Sequence, residues 1–339
     1  MSDNVALVVG SSGIIGGNLA DRLVKEGWKV YGLARRPLQI PDVIPVAADL
    51  QDRESLRAAL TEVKPTHVFL ATWLRQESEA ENIRVNGTMV RNLLDELSGR
   101  GLRHVALVTG GKHYMGPFEA YGKGEMPATP FREEQGRLKV ENFYYAQEDE
   151  VFAAAEREGF AWSVHRPSTV IGYALGNAMN MGVTLAVYAS ICRELSKPFV
   201  FPGSPEQWSS LSDVTDANQL ASQLLWAVTA PAARDQAFNI VNGDIFRWSW
   251  LWPRLAEWFG LEAQGPGATL EEQLVGAASV WTEIARKHGL VQPDIDKLVS
   301  AWHTDADLGR PFEVVFDMSK SRKLGFTGLE QNASFRKAH

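Results

Sequence analysis

The chain has 339 residues, with 34 basic and 41 acidic side chains, and its formal charge of −7 is spread along its length. That length suits one large or two closely joined domains, and the lack of a basic block argues against nucleic acid as a partner. One cysteine, Cys192, rules out an intrachain disulfide; no apolar run reaches bilayer-spanning length, and the start lacks a signal peptide's basic-then-apolar layout, so a cytoplasmic protein with no membrane partner is expected.

The first half alternates strand and helix patterns. VALVVG (5–10) is an apolar run short enough for a buried parallel strand, and IIGGNLADRLVKEG (14–27) sets Ile15, Leu19 and Leu23 at helical spacing before stopping at Gly27. Strands follow at 29–34 and 43–48, a helix at 53–63, a strand at 66–72, a long helix at 82–101 and a strand at 104–110. A helix over about 139–158 leads to a strand at 161–168. This alternation predicts βαβ units and an α/β fold of the Rossmann type, a doubly wound parallel sheet covered on both faces. Beyond residue 172 the pattern loosens, Trp, Pro and Gly increase, and a helix over 269–289 stands without neighbouring strands. The expected organisation is a dinucleotide-binding domain over 1–172, with segments near 207–245 returning to it. A smaller, mostly helical substrate lid covers 173–206 and 246–339. FNIVNGD (238–244) reads as a late strand of the main sheet, and Cys192 within YASICRELS as buried filler.

GSSGIIG places Gly10, Gly13 and Gly16 between the first strand and the first helix. A chain that turns sharply there lets a pyrophosphate approach the backbone at a helix N-terminus. The expected contacts of this turn are Gly10, Ser12, Gly13, Ile14, Ile15 and Gly16. Where an NAD-binding fold carries a carboxylate for the ribose, the second strand ends in GLARRP, so Arg35 and Arg36 favour a 2′-phosphate and hence NADPH. Asp49 and Leu50 are expected at the adenine edge, although Asp49 could equally cap the helix near residue 52. Ala71 and Thr72, Thr109 and Gly110, and Pro167, Thr169 and Val170 complete the expected cofactor contacts at the strand ends. No metal site is expected.

ENFYYAQED (141–149) raises a chemical question. In dinucleotide-binding folds a tyrosine hereabouts donates the proton, and a lysine one helical turn later supports it. Here residues 148 and 149, four after Tyr144 and Tyr145, are Glu148 and Asp149, both anions. After the strand at 104–109 comes TGGKHYMGPFE, where Gly111 takes the place of the usual Ser or Thr and Lys112 follows. A lysine at that strand end can project toward Tyr144 and lower its pKa. His113 and His165 flank these motifs and read as structural.

TGGKHYMGPFE, NFYYAQED and WSVHRPSTVIGYALGNAMN together resemble the progesterone 5β-reductase and iridoid synthase-like group of short-chain reductases, and the similarity runs from the glycine turn to SKSRKLGF (319–326). The resemblance implies an extended Rossmann domain with a helical lid and NADPH-dependent reduction of activated C=C bonds in a small enone or enal. It implies Lys112 and Tyr144 as the catalytic pair, with Tyr145 as the structural neighbour. Trp73, Tyr145 and Met181 are assigned to the substrate pocket. DADLGRPFEVVF (305–316) departs from the group's pattern. The alternatives left open are a carbonyl reductase or sugar-nucleotide epimerase of the same fold, which would need a Tyr-x-x-x-Lys pair, and a non-catalytic NADPH sensor. A homodimer is compatible with all of them.

Overall fold

The computed structural model describes residues 4–117, 120 and 128–328. Its centre is a seven-stranded sheet: β1 Val5–Val9, β2 Lys29–Ala34, β3 Val43–Ala47, β4 His67–Leu70, β5 His104–Val108, β6 Ala161–Pro167 and, after the short strands β7 Val170–Ile171, β8 Phe199–Phe201, β9 Leu211–Ser212 and β10 Thr215–Asp216, the late strand β11 Gln236–Ile240. The spatial order is β11-β6-β5-β4-β1-β2-β3, and every pairing in this sheet is parallel. The order reverses between β1 and β4, so the crevice outside the carboxyl ends of the strands opens there. Pro45 is tolerated in β3 because that strand is an edge.

Successive residues of a strand face opposite sides of the sheet, and the core divides accordingly. Leu7, Val9, Val68, Leu70, Val105 and Leu107 pack against α3 Glu79–Glu96 and α5 Phe143–Glu158 through Met89, Leu93, Val151 and Ala154. Ala6, Val8, Phe69, Ala106 and Val108 pack instead against α1 Ile14–Lys25 and the later helix α8 Ala217–Thr229 through Leu19, Leu23, Leu220 and Leu224. The other sheet-side helices are α2 Arg53–Leu60 and the single turn α4 Lys112–Met115. Beyond β7 come α6 Met181–Glu194, α7 Pro205–Ser209, α8 Ala217–Thr229, α9 Trp248–Phe259, α10 Leu270–Gln273, α11 Ala277–His288 and α12 Ala301–Leu308. Several of these build an aromatic core of their own around Phe199, Phe201, Tyr188, Trp248 and Trp252, and Cys192 is buried within it.

Two expectations are revised. The single helix over 269–289 is two: the first ends at Gln273 with Leu274 as its cap, and Gly276, at φ +74° in the left-handed region, caps the start of the second. Val314, Phe316, Met318 and Phe326, expected in the lid, lie in the core beneath the sheet, where Phe316 bridges Phe131.

Candidate active site

The glycine turn is shaped by contact. Gly10 adopts φ +87°, and a Cβ there would stand 2.5 Å from the carbonyl oxygen of Ala71; a Cβ on Gly16 would stand 2.3 Å from the carbonyl oxygen of Gly10. Only glycine allows β1, β4 and α1 to approach this closely. Helix α1 begins after Gly13 with no side-chain cap and no acidic residue in its first turn, so its positive end is available to an anion. The Ser12 hydroxyl donates to the carbonyl of Arg36 at 3.0 Å and ties this turn to the end of β2. Arg35 and Arg36 are exposed and form no ion pair among the described residues. These features fit a phosphate-bearing dinucleotide.

A cavity of about 850 Å³ is lined by Gly10, Ser12, Gly13, Arg35, Arg36, Asp49 and Leu50. Asp49 accepts from the backbone N–H of Gln51, while the cap of α2 is Asp52, so the residue expected at the adenine edge is not the helix cap. Ile14, Ile15, Ala71, Thr72 and Trp73 line this cavity and also a second one of about 190 Å³, making one continuous crevice. The second is walled by Thr109, Gly110, Pro167, Thr169 and Val170 at the ends of β5 and β6. Of the residues expected at the cofactor, only Gly16 is not on these walls; it acts in packing.

Lys112 and Tyr144 share the smaller cavity. Asn142 caps α5 through the Tyr144 N–H, and its amide also donates to the Lys112 carbonyl at 2.8 Å, locking the two motifs together. A Cβ on Gly110 would lie 3.2 Å from the Tyr144 hydroxyl oxygen, which places that hydroxyl over the end of β5. A Cβ on Gly111 would instead meet Met115 and Phe316. The position facing the tyrosine is therefore Gly110, one residue before the one the motif suggested. The Lys112 ammonium lies 4.9 Å from the Trp73 ring centre, 5.0 Å from Phe143 and 5.9 Å from Tyr144, an aromatic cage that accommodates a buried cation.

Tyr145 and Met181 are not on the cavity walls. The Tyr145 hydroxyl donates to the His113 carbonyl at 2.7 Å and accepts from the Leu138 N–H at 3.0 Å, so it is structural. Met181 is buried in the lid core, and Met179, before the Asn180 cap of α6, lines the cavity instead. His165 is wholly buried away from the cavity, and His113 packs between Tyr114 and Tyr145. The sequence reading did not identify Asn177, Met179, His303, Asp307 and Arg310 as cavity residues. Asn177 and Met179 fall within the motif that ends at residue 180, whereas His303, Asp307 and Arg310 lie in no short motif; the four-residue spacing of His303 and Asp307, which puts them on one face of α12, is the one local signal for them.

The model of the NAD dependent epimerase/dehydratase family matches residues 6–241. Over 98% of its length the chain is 39% identical to 3-oxo-Delta(4,5)-steroid 5-beta-reductase of Arabidopsis thaliana, covering 90% of that protein. It is also 39% identical to an (S)-8-oxocitronellyl enol synthase of Camptotheca acuminata, over 96% of this chain and 88% of that one. The chain belongs to the progesterone 5β-reductase and iridoid synthase-like group of this family. It is thus an oxidoreductase that binds a nicotinamide dinucleotide. Among solved structures, the fold matches Bordetella bronchiseptica WbmG, crystallised with NAD, at TM-score 0.65 and 13% identity over 97% of this chain and 90% of that one. It matches an epimerase of Methanothermobacter thermautotrophicus at TM-score 0.65 and 17% identity over 95% and 86%. Among the described residues no helix is long and apolar enough to cross a membrane, and no cluster of His, Cys, Asp and Glu could hold a metal.

Proposed function

We propose that this reductase uses NADPH to reduce the carbon–carbon double bond of a small enone or enal. The observation that carries the reading is the Tyr144 hydroxyl standing over Gly110 in the same cavity as Lys112, while the residue one turn after the tyrosine is an anion bound to arginines. The cofactor supplies a hydride equivalent for the β-carbon. Negative charge then develops on the carbonyl oxygen, and Tyr144 donates a hydrogen bond to that oxygen where the charge appears. Lys112 adds positive potential beside it. The α-carbon takes its proton from solvent, so Tyr144 need not give up its own. Trp73, Met115 and Met179 supply apolar wall to the cavity. Arg35 and Arg36 support NADPH over NADH, because a guanidinium fork matches a phosphate that only the former carries.

The test is NADPH oxidation with cyclohexenone, followed by product identification by mass spectrometry and NMR. Cyclohexanone is the expected product. The allylic alcohol as main product would make the protein a carbonyl reductase, and NADPH binding without turnover of any enone would make it a sensor.

A further inference from the structure

Three consecutive residues at the start of α5 act on Lys112, and the first of them stands away from the reacting atoms. Asn142 is buried and is not on the cavity wall. Its side-chain oxygen accepts from the Tyr144 N–H at 3.0 Å, and its Nδ2 donates to the Lys112 carbonyl at 2.8 Å. The ring centres of Phe143 and Tyr144 lie 5.0 Å and 5.9 Å from the Lys112 ammonium. One helix turn thus holds Lys112 at both ends, its backbone through Asn142 and its ammonium through the two rings that follow.

The start of α5 is firmly anchored. A helix leaves its first N–H groups without intrahelical partners. Here the Phe143 N–H donates to the Glu79 carboxylate at 2.7 Å, the Tyr144 N–H to the Asn142 side chain, and the Tyr145 N–H to the Asn142 carbonyl at 3.0 Å. On the facing turn, the Lys112 carbonyl also accepts from the Gly116 N–H at 2.9 Å, and the His113 carbonyl accepts from the Tyr145 hydroxyl. Neither α4 nor the start of α5 can slide without losing a buried hydrogen bond. Capping by itself does not call for asparagine, because serine and aspartate cap a helix equally well. What asparagine adds is a donor, and that donor goes to Lys112.

We propose, resting on the enone-reductase reading, that Asn142 is a positioning residue for that reaction: its amide sets the separation of the Lys112 ammonium from the Tyr144 hydroxyl. The potential that Lys112 places on a developing negative charge falls with distance. A displacement of roughly 1 Å can slow a reaction by up to about a hundredfold. Asn142 touches neither substrate nor cofactor in this reading, so it acts on turnover and not on binding.

The test is Asn142→Ser, assayed with NADPH and cyclohexenone. Serine keeps the cap and is too short to bridge to the Lys112 carbonyl. Turnover, kcat, should fall on the order of tenfold. KM and the NADP⁺ dissociation constant, the latter from calorimetry, should stay near the parent values, and the melting temperature should drop by only a few degrees. In a Lys112→Ala background the same substitution should change kcat little, because the group it places is gone. A merely structural asparagine would lower kcat by the same factor in both backgrounds. Asn142→Asp keeps the shape and the cap but turns an acceptor toward the Lys112 carbonyl. Its kcat should fall at least as far, and it carries the test where the serine variant does not fold. Parent-like kcat in a folded variant, a loss confined to KM, an equal loss in both backgrounds, or failure of both variants to fold overturns the proposal and leaves the enone-reductase reading standing. A parent that binds NADPH and reduces no enone overturns both.

Discussion

Glu148 occupies the place from which a lysine would support Tyr144, and its surroundings call for an anion. It is 1% exposed, with Arg137 Nη2 at 2.9 Å and Arg166 Nη2 at 3.5 Å. His113 Nδ1 lies 3.9 Å away, but burial, aided by Arg166, drives the imidazole down to about 3, so it carries no charge at neutral pH. A lysine at 148 would put a third cation between two guanidiniums, and the proposed mechanism accordingly takes its ammonium from Lys112 on the neighbouring turn. Glu148→Lys, although it restores the Tyr-x-x-x-Lys pattern, should destabilise the fold by about 3–5 kcal/mol and not raise turnover; a stable, faster variant in calorimetry and kinetics would contradict this. The pair itself is tested by a double-mutant cycle. Tyr144→Phe should slow turnover roughly a hundredfold, the low end for a lost positioned donor, since only charge stabilisation is removed. Lys112→Ala should also slow it, and the double variant should be little worse than Tyr144→Phe, because both side chains act on one developing charge. Tyr145→Phe should cost about 1 kcal/mol of stability through the lost contact with His113 and leave turnover near the parent value. A crippling Tyr145→Phe beside a mild Tyr144→Phe would reverse the assignment.

At the scale of elements, the unit from β1 through α1 to β2 was legible because its signals are local. The apolar runs that form buried parallel strands, the glycines at the turn and the arginines at the end of β2 lie within a stretch of sequence and act within the same stretch of structure. Cofactor choice belongs to this unit. Replacing Arg35 and Arg36 together with serine should weaken NADPH binding on the order of tenfold to a hundredfold and leave NADH little changed, since only the 2′-phosphate uses the guanidiniums. Equal affinity of the parent for both cofactors, measured by fluorescence titration, would count against it. Apart from Trp73, the wall proposed for the substrate was not legible. Thr169 meets Asp307 across 138 positions and Arg75 meets Trp302 from opposite ends of the chain, and nothing local announces either contact. Met179 lines the cavity where Met181 was expected, because periodicity cannot say which side of the Asn180 cap faces it. The stretch at 314–326 lacks alternation with helices, so its return to the sheet core depended on Phe131 and other partners distant in sequence.

Across the whole molecule, the parallel sheet buries titratable groups in its joints, and they set its response to acid. His104 Nε2 lies 2.9 Å from the Ser163 hydroxyl on the adjacent strand, that hydroxyl lies 3.0 Å from His165 Nε2, and His165 Nδ1 lies 2.8 Å from Gln223 Oε1 on α8. Gln223 donates its amide to the Asn239 carbonyl on β11, so its oxygen must accept from His165 Nδ1–H; Ser163 then donates to His165 Nε2 and accepts from His104 Nε2–H. The chain of bonds joins β5, β6, β11 and α8, and each imidazole in it is neutral. Burial takes His104 down to about 3 and His165 to about 4; His67, beside Trp28, falls to about 4 and His113 to about 3 for the same first cause. The unfolded chain protonates its imidazoles near 6.5, so between that pH and about 4 it binds more protons than the folded chain, and stability falls as pH is lowered through this window. His104 and His165 each contribute roughly 3 kcal/mol of this loss. Asp213 acts in the opposite sense: burial pushes its carboxyl up to about 7, so the folded state alone holds that proton between about 7 and the unfolded value of 3.8, and its contribution strengthens as pH falls. Burial also lowers His303 and raises the carboxyls of Glu133 and Asp305, and the four large imidazole shifts decide the sign. The melting temperature should therefore be highest at or above pH 6.5 and drop steeply toward pH 4. His104→Gln, which cannot titrate, should melt lower than the parent at pH 7 yet lose less on acidification, so the two curves converge. A parent melting temperature that stays level from pH 7 to 4.5, or parallel curves for parent and His104→Gln, would show that the buried histidines do not govern acid stability.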